Sequence, residues 1–118
     1  MKQLSPCPSS PNCVSTQAED QQHAIVPFRY QKNLPEAIAA LKTIVLSLPR
    51  AVLVEEAADY LRVEVTSLLL RFVDDVEFVF DDHSKSVQFR SASRTGYSYL
   101  GVNRERMETI RMLADGKL

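Results

Sequence analysis

The sequence lacks the features that mark several large classes of protein. Its longest apolar runs, such as Leu68-Leu69-Leu70, fall far short of the roughly 20 residues that cross a bilayer, and no apolar segment follows Lys2. We therefore expect no membrane partner and no export signal. With 14 basic and 15 acidic residues, the chain also lacks the basic excess of nucleic-acid binding proteins. The 118 residues predict one soluble, cytoplasmic domain that does not bind nucleic acid, and they leave its oligomeric state open.

Cysteine and histidine are scarce, with two residues of each. Cys7 and Cys13 lie six positions apart in a Pro- and Ser-rich segment that could bring their sulfurs together. A reducing compartment favours two free thiols, with a disulfide as the alternative. The spacing of the two cysteines and His23 matches no usual zinc site, so we expect no metal and no cofactor.

The first part of the chain, residues 1–32, has no sustained helical or strand period. Prolines interrupt it at positions 6, 8, 11 and 27. The apolar residues 25–28 indicate that this segment packs against the rest of the protein. We therefore predict an irregular N-terminal arm on the domain surface.

The remainder, residues 33–118, alternates between helical and strand periodicity. Asn33 is placed to cap a first helix, and Asn103 to cap a second from about Arg104 to Asp115. Strands are predicted over residues 51–56, 60–66 and 71–80 and through Val87 and Phe89, and the apolar stripe of the second helix is predicted to be Met107, Ile110 and Leu113. The pattern predicts a two-layer α+β fold, in which a four-stranded antiparallel meander carries both helices on one face.

Acidic residues concentrate on the third predicted strand. Alternation places Asp74 on the buried face with Phe72 and Val76, where an ionised carboxylate needs a cation or several hydrogen-bond donors. Asp75 and Glu77 share the opposite face, where carboxylates commonly pair with arginine across strands. Asp74 is therefore a candidate site residue, with a buried structural anchor as the alternative reading.

The Arg-Ser stretch, residues 90–104, reads RSASRTGYSYLGVNR and combines three arginines, three serines and two glycines. Guanidinium groups, hydroxyls and the free amides at the start of a helix all suit a carboxylate or phosphate. We predict that a small polar or anionic ligand binds there, and a turn held by arginine–carboxylate pairs is the alternative. The candidate ligand-binding residues in this stretch are Arg90, Ser91, Ser93, Arg94, Asn103 and Arg104.

Three segments of the sequence together resemble one family. They read CPSSPNCVS from Cys7, FVDDVEF from Phe72, and the Arg-Ser stretch. The chain resembles the uncharacterised family named domain of unknown function fourteen ninety-nine (DUF1499). The resemblance implies no established activity, but it couples the three segments and so adds Asn12, Asp74 and Glu77 to the candidate site. Tyr99 stands where the family usually has aspartate, and the consequence of that difference is left open.

Three functions are compatible with these observations. The leading prediction is a binding domain for a small polar or anionic ligand near the Arg-Ser stretch. One alternative is an enzyme or metal site that uses Asp74, Glu77 and the arm cysteines. Another is an interaction module whose arm and sheet edge contact a partner or a second copy.

Overall fold

A computed structural model describes residues 2–95 and 101–118. Within these residues, two helices and six strands form an α+β fold. The elements are β1 (Cys13–Ser15), β2 (Phe28–Arg29), α1 (Leu34–Leu46), β3 (Ala51–Ala57), β4 (Tyr60–Thr66), β5 (Val73–Asp81), β6 (Ser86–Ser93) and α2 (Val102–Ala114). All strand pairs are antiparallel, in the order β1-β6-β5-β4-β3, and β2 also pairs with β6. The predicted α+β class is confirmed. None of the helices in the described ranges combines the length and apolar character of a membrane span.

The prediction of four strands was too narrow, because the arm adds two strands to the sheet. Cys13 pairs with Ala92 in the β1–β6 ladder, and Phe28 pairs with Val87 in the β2–β6 ladder. Strands of three and two residues are too short to show a period of their own in the sequence. Their conformation depends on the ladder that β6 offers, which is a tertiary effect.

The first helix forms where the sequence predicts it. The Asn33 side chain accepts a hydrogen bond from the amide of Glu36 at 3.0 Å, and Pro35 lies in the first turn, where its missing amide costs nothing. Ala37, Leu41 and Val45 are buried at helical spacing. The helix therefore presents one apolar face to the sheet.

The hydrophobic core lies between this helix face, α2 and one face of the sheet. The sheet supplies the alternating residues Leu61 and Val63 from β4, Val76 and Phe78 from β5, and Val87 and Phe89 from β6. Both helices contribute to the same cluster, so they cover the same face of the sheet. From the arm, the Phe28 ring packs on Phe89 with centroids 4.5 Å apart, which fastens β2 to the core.

The second helix differs from its prediction at both ends. It begins at Val102 after Gly101, whose φ of 83° is accessible at little cost to glycine, and Gly101 provides no side-chain cap. Asn103 is therefore not the cap but lies inside the first turn, buried. The buried stripe runs Asn103, Met107, Ile110 and Ala114, so Leu113 falls off it and is 37% exposed.

The N-terminal part of the arm covers the opposite face of the sheet. Leu4 packs there with Tyr60 and Val79 in a second apolar cluster, and the Lys2 ammonium lies 3.9 Å from the centre of the Tyr60 ring. A disulfide joins Cys7 to Cys13, with their Cα atoms 5.7 Å apart. The prediction of free thiols was wrong, because it rested on an assumed compartment although the backbone geometry allowed a bridge.

Candidate functional site

Polar side chains gather where the arm, the ends of β5 and β6, and the first turns of α2 meet. This polar cluster consists of Asn12, Asp74, Ser91, Ser93, Asn103 and Arg106. Asp74 and Ser93 are opposite each other in the β5–β6 ladder, so they lie on the same face of the sheet. This is the buried face, because Asp74 shares it with the core residue Val76. Every member of the polar cluster except Arg106 was a candidate site residue from the sequence.

An ion pair between Asp74 and Arg106 crosses from β5 to α2. The Arg106 Nη2 atom donates to Asp74 Oδ2 at 2.7 Å, and the two side chains are only 12% and 7% exposed. The cation that Asp74 was expected to need is therefore present. The second carboxylate oxygen, Asp74 Oδ1, is buried and accepts no hydrogen bond from the residues that the structure describes.

Asn103 links the other members of the polar cluster. Its Nδ2 atom donates to the Asn12 carbonyl at 2.9 Å and to the Ser93 hydroxyl at 3.1 Å. Its Oδ1 atom accepts from the Ser91 hydroxyl and from Arg106, both at 2.7 Å. Because the side chain uses both its donors and accepts two bonds, it fixes the arm, β6 and α2 relative to one another.

Asn12 connects the arm to the end of β6. Its Nδ2 atom donates to the Thr95 carbonyl at 2.6 Å, and its backbone carbonyl accepts from the Ser93 amide at 3.1 Å. The neighbouring Cys13 lies in β1 and carries the disulfide. The disulfide therefore restrains the segment that brings Asn12 to the polar cluster.

Arg94 lies on the other face of the sheet, away from the polar cluster. Its guanidinium donates to Asp75 at 2.9 Å and to Glu64 at 2.6 Å. These carboxylates raise the pKa of Arg94, and Arg94 in turn lowers the pKa of Asp75. This geometry is that of the arginine–carboxylate pairs named as the structural alternative.

Arg90 and Glu77 also lie on that outer face, beneath the arm. Arg90 Nη1 is 3.9 Å from Glu77, and Nη2 donates weakly to the Pro6 carbonyl at 3.4 Å. Glu77 accepts from the Tyr60 hydroxyl at 2.6 Å. Burial, and then this hydrogen bond, raise the pKa of Tyr60. Arg104 lies in the first turn of α2, and its Nη2 atom donates to the Gln22 carbonyl of the arm at 3.1 Å.

The structure therefore divides the candidate residues into two groups. It brings Asn12, Asp74, Ser91, Ser93 and Asn103 together and leaves Glu77, Arg90, Arg94 and Arg104 outside the polar cluster. Sequence reasoning missed Arg106. Its position three residues after Asn103 places it on the same side of the helix, so the search for a partner of Asp74 could have found it.

His23 anchors the arm close to the polar cluster. Its Nε2 atom is 2.8 Å from the Ser10 carbonyl, its Nδ1 atom contacts Asp20, and the residue is 5% exposed. The Ser10 carbonyl, with Asp20, raises the pKa of His23 although burial opposes this. The hydrogen bond between His23 and Asp20 lowers the pKa of Asp20.

The raised pKa of His23 predicts a dependence of stability on pH. The folded state binds the imidazolium proton more tightly than the unfolded state, so the contribution is complete below the ordinary histidine pKa of about 6.5. It disappears as the pH rises through the pKa of the folded state. We expect urea unfolding to give a larger free energy at about pH 6 than at about pH 8, and His23→Gln to remove most of that difference. The exposed His83→Gln is the control, and an unchanged pH dependence in His23→Gln would contradict the assignment.

The polar cluster unites the three sequence segments on which the resemblance to a family rested. A family model described as Protein of unknown function (DUF1499) matches residues 3–113. The chain belongs to this family. The match runs from the arm to α2 of this DUF1499 chain and includes the whole polar cluster. No curated protein and no solved structure shows significant similarity to it.

The sequence of this DUF1499 chain also singled out Tyr99 and raised the alternative of an enzyme or metal site. Tyr99 lies outside the described residues, as do the other residues between 95 and 101. Within residues 2–95 and 101–118, no three His, Cys, Asp or Glu side chains are grouped to hold a metal ion. Asp74 and Glu77 project from opposite faces of β5, and both cysteines are bonded to each other, so these residues do not form one site.

Proposed function

We propose that this DUF1499 domain binds a small polar ligand at the polar cluster, beside the Arg-Ser stretch. The observation that carries the proposal is the second oxygen of Asp74, which is buried and has no donor among the described residues. Leaving such an acceptor unsatisfied costs about 1–3 kcal/mol, and more when it is charged. A ligand that donates a hydrogen bond to Asp74 Oδ1 recovers that free energy.

The surrounding groups define the chemistry of the ligand. Asp74 Oδ1 calls for an N–H or O–H donor, and the Arg106 guanidinium beside it favours an acceptor on the same molecule. A hydroxyl or a primary amide carries both. Because Asp74 is only 5% exposed, the group that reaches it must be small.

The anionic form of the predicted ligand has weaker support. An anion would need guanidinium groups that face it. Arg94 and Arg104 donate to carboxylates or carbonyls of the protein. The buried Nε atom of Arg90 has no acceptor among the described residues, but Arg90 lies beside Glu77 on the outer face of the sheet, away from the polar cluster. Arg106 is already neutralised by Asp74. The balance of charge at the polar cluster therefore favours a neutral polar group.

The remaining alternatives have less support. An enzyme that uses Asp74 with Glu77 would require both carboxyl groups on one ligand, and they lie on opposite faces of β5. An interaction module that uses the arm would require a free arm, whereas Leu4 is buried and β1 and β2 are paired in the sheet. A cytoplasmic location stays a prediction, and the disulfide favours an oxidising compartment instead.

Titration of the labelled protein with acetamide, ethanolamine and phosphate, followed by NMR, tests the proposal. We expect acetamide to shift the amide signals of Asp74, Ser93 and Asn103 in a saturable way. Asp74→Asn should abolish the shift, and Asp75→Asn on the outer face should preserve it. Phosphate shifts at Arg90 and Arg94 would favour the anionic ligand instead. If neither acetamide nor ethanolamine shifts those signals, the polar cluster is purely structural.

A further inference from the structure

The turn between β4 and β5 carries three consecutive exposed leucines, among them the most exposed large apolar side chain of the described residues, Leu69. Leu68, Leu69 and Leu70 are 61%, 87% and 69% exposed. Single exposed leucines are ordinary on a protein surface, but a contiguous exposed apolar group is typical of a surface that binds a protein, a membrane or a ligand. We call residues 67–72 the leucine loop.

The base of the leucine loop is closed by hydrogen bonds. The Ser67 amide donates to the Phe72 carbonyl at 2.9 Å, and the Phe72 amide donates to the Ser67 hydroxyl at 2.9 Å. Pairing of Thr66 with Val73 continues the β4–β5 ladder up to this point. The three leucines are therefore held at the apex of a defined turn, pointing away from the core.

Two arginines flank the leucines, and no acidic residue lies within the leucine loop. Arg71 belongs to the loop and is exposed. Arg50 is also exposed, and its Nε atom donates to the Thr66 carbonyl at 2.8 Å, next to the base of the loop. The surface thus combines an apolar tip with positive charge immediately behind it.

We propose that the leucine loop inserts into the interface of a bilayer that contains anionic lipids. Leucine side chains at the tip would enter the acyl boundary while Arg50 and Arg71 remain at the phosphate level, which is the pairing of signals that interfacial binding requires. The expectation of no membrane partner rested on the length of a spanning segment. Interfacial binding needs no such segment.

A protein occupant fits this surface less well. A six-residue turn is small beside the roughly 20–30 residues that each side of a stable protein interface supplies. The adjacent edge strand β3 has a register shift between Leu53 and Glu55 and carries Glu55 and Glu56, which oppose pairing with a second copy. The charge of Arg50 and Arg71 instead complements lipid phosphates.

Vesicle flotation with purified protein tests the proposal. The vesicles are phosphatidylcholine alone, or phosphatidylcholine with about one third phosphatidylglycerol. We expect binding to the anionic vesicles, weakened about tenfold by Leu69→Ser. Arg71→Gln should weaken binding about fivefold on anionic vesicles and leave binding to neutral vesicles unchanged.

Met112→Gln is the matched control, because Met112 is 71% exposed on α2, outside the leucine loop. It should bind anionic vesicles like the unsubstituted protein, and circular dichroism checks that all variants fold. The proposal is overturned if the unsubstituted protein binds neither vesicle, or if Leu69→Ser and Met112→Gln weaken binding equally. A dimer in light scattering that Leu69→Ser disperses would identify a second copy as the occupant and would also overturn it.

Discussion

Replacing Arg106 with alanine is expected to lower the free energy of unfolding by about 3–5 kcal/mol, because it leaves the buried Asp74 carboxylate without its cation. Asp74→Ala should cost a similar amount by stranding Arg106. Both side chains are nearly inaccessible to water, so solvent cannot replace the lost partner. Urea denaturation followed by circular dichroism measures the change.

Arg94→Ala is the matched control for this prediction. Arg94 makes three short hydrogen bonds to Asp75 and Glu64, but its side chain is 46% exposed. Exposed pairs of this kind contribute about 0–1 kcal/mol. Equal losses in Arg94→Ala and Arg106→Ala would show that the buried pair has no special role in stability.

A double replacement separates charge stranding from lost packing. In Asp74→Leu with Arg106→Met, neither ion remains to be stranded, so we expect most of the loss in Arg106→Ala to be recovered. The same double variant should fail to bind acetamide, because both groups that face the ligand are gone. A double variant as unstable as Arg106→Ala alone would assign the loss to packing.

Removing the disulfide is expected to lower the free energy of unfolding by about 2 kcal/mol, through replacement of Cys7 and Cys13 by serine or through reduction. The bridge closes a short loop, so its effect on the entropy of the unfolded chain is at the lower end of the usual range. The effect is local as well. The arm segment that carries Asn12 loses its restraint, so amide exchange at Val14 and Ser93 should become faster.

The double serine variant also provides the control for reduction. Reductant should destabilise the unsubstituted protein and leave the double serine variant unchanged. If reductant has no effect on the unsubstituted protein, the arm is held by Leu4, β1 and the polar cluster alone. If it destabilises both proteins equally, its effect has nothing to do with the bridge.

Long periodic segments were predictable from the sequence, because each carries its own signal. The run from Ile38 to Val45 repeats at helical spacing after the Asn33 cap, and β4 alternates from Leu61 to Thr66. In both cases local propensity and the burial pattern agree, so the sequence suffices. The arm strands carry no such signal, because their conformation is set by pairing with β6, far along the chain.

The candidate site was predictable in part. Strand parity alone placed Asp74 on the buried face and Glu77 on the other, and the structure agrees with both placements. Asn103 was misassigned because an asparagine before an apolar helical stripe is typical of an N-cap, whereas its side chain bonds to the arm and β6. No pattern local to the second helix reveals that choice, since the competing partners come from other segments.

The two short strands of the arm also affect how the molecule behaves at high concentration. Beyond β6 the sheet ends in pieces of only three and two residues, separated by residues 16–27. Such pieces offer another chain no continuous row of unpaired amides and carbonyls as a template. Because the arm covers the long strand β6 with two short, interrupted strands, we expect little aggregation through that edge of the sheet.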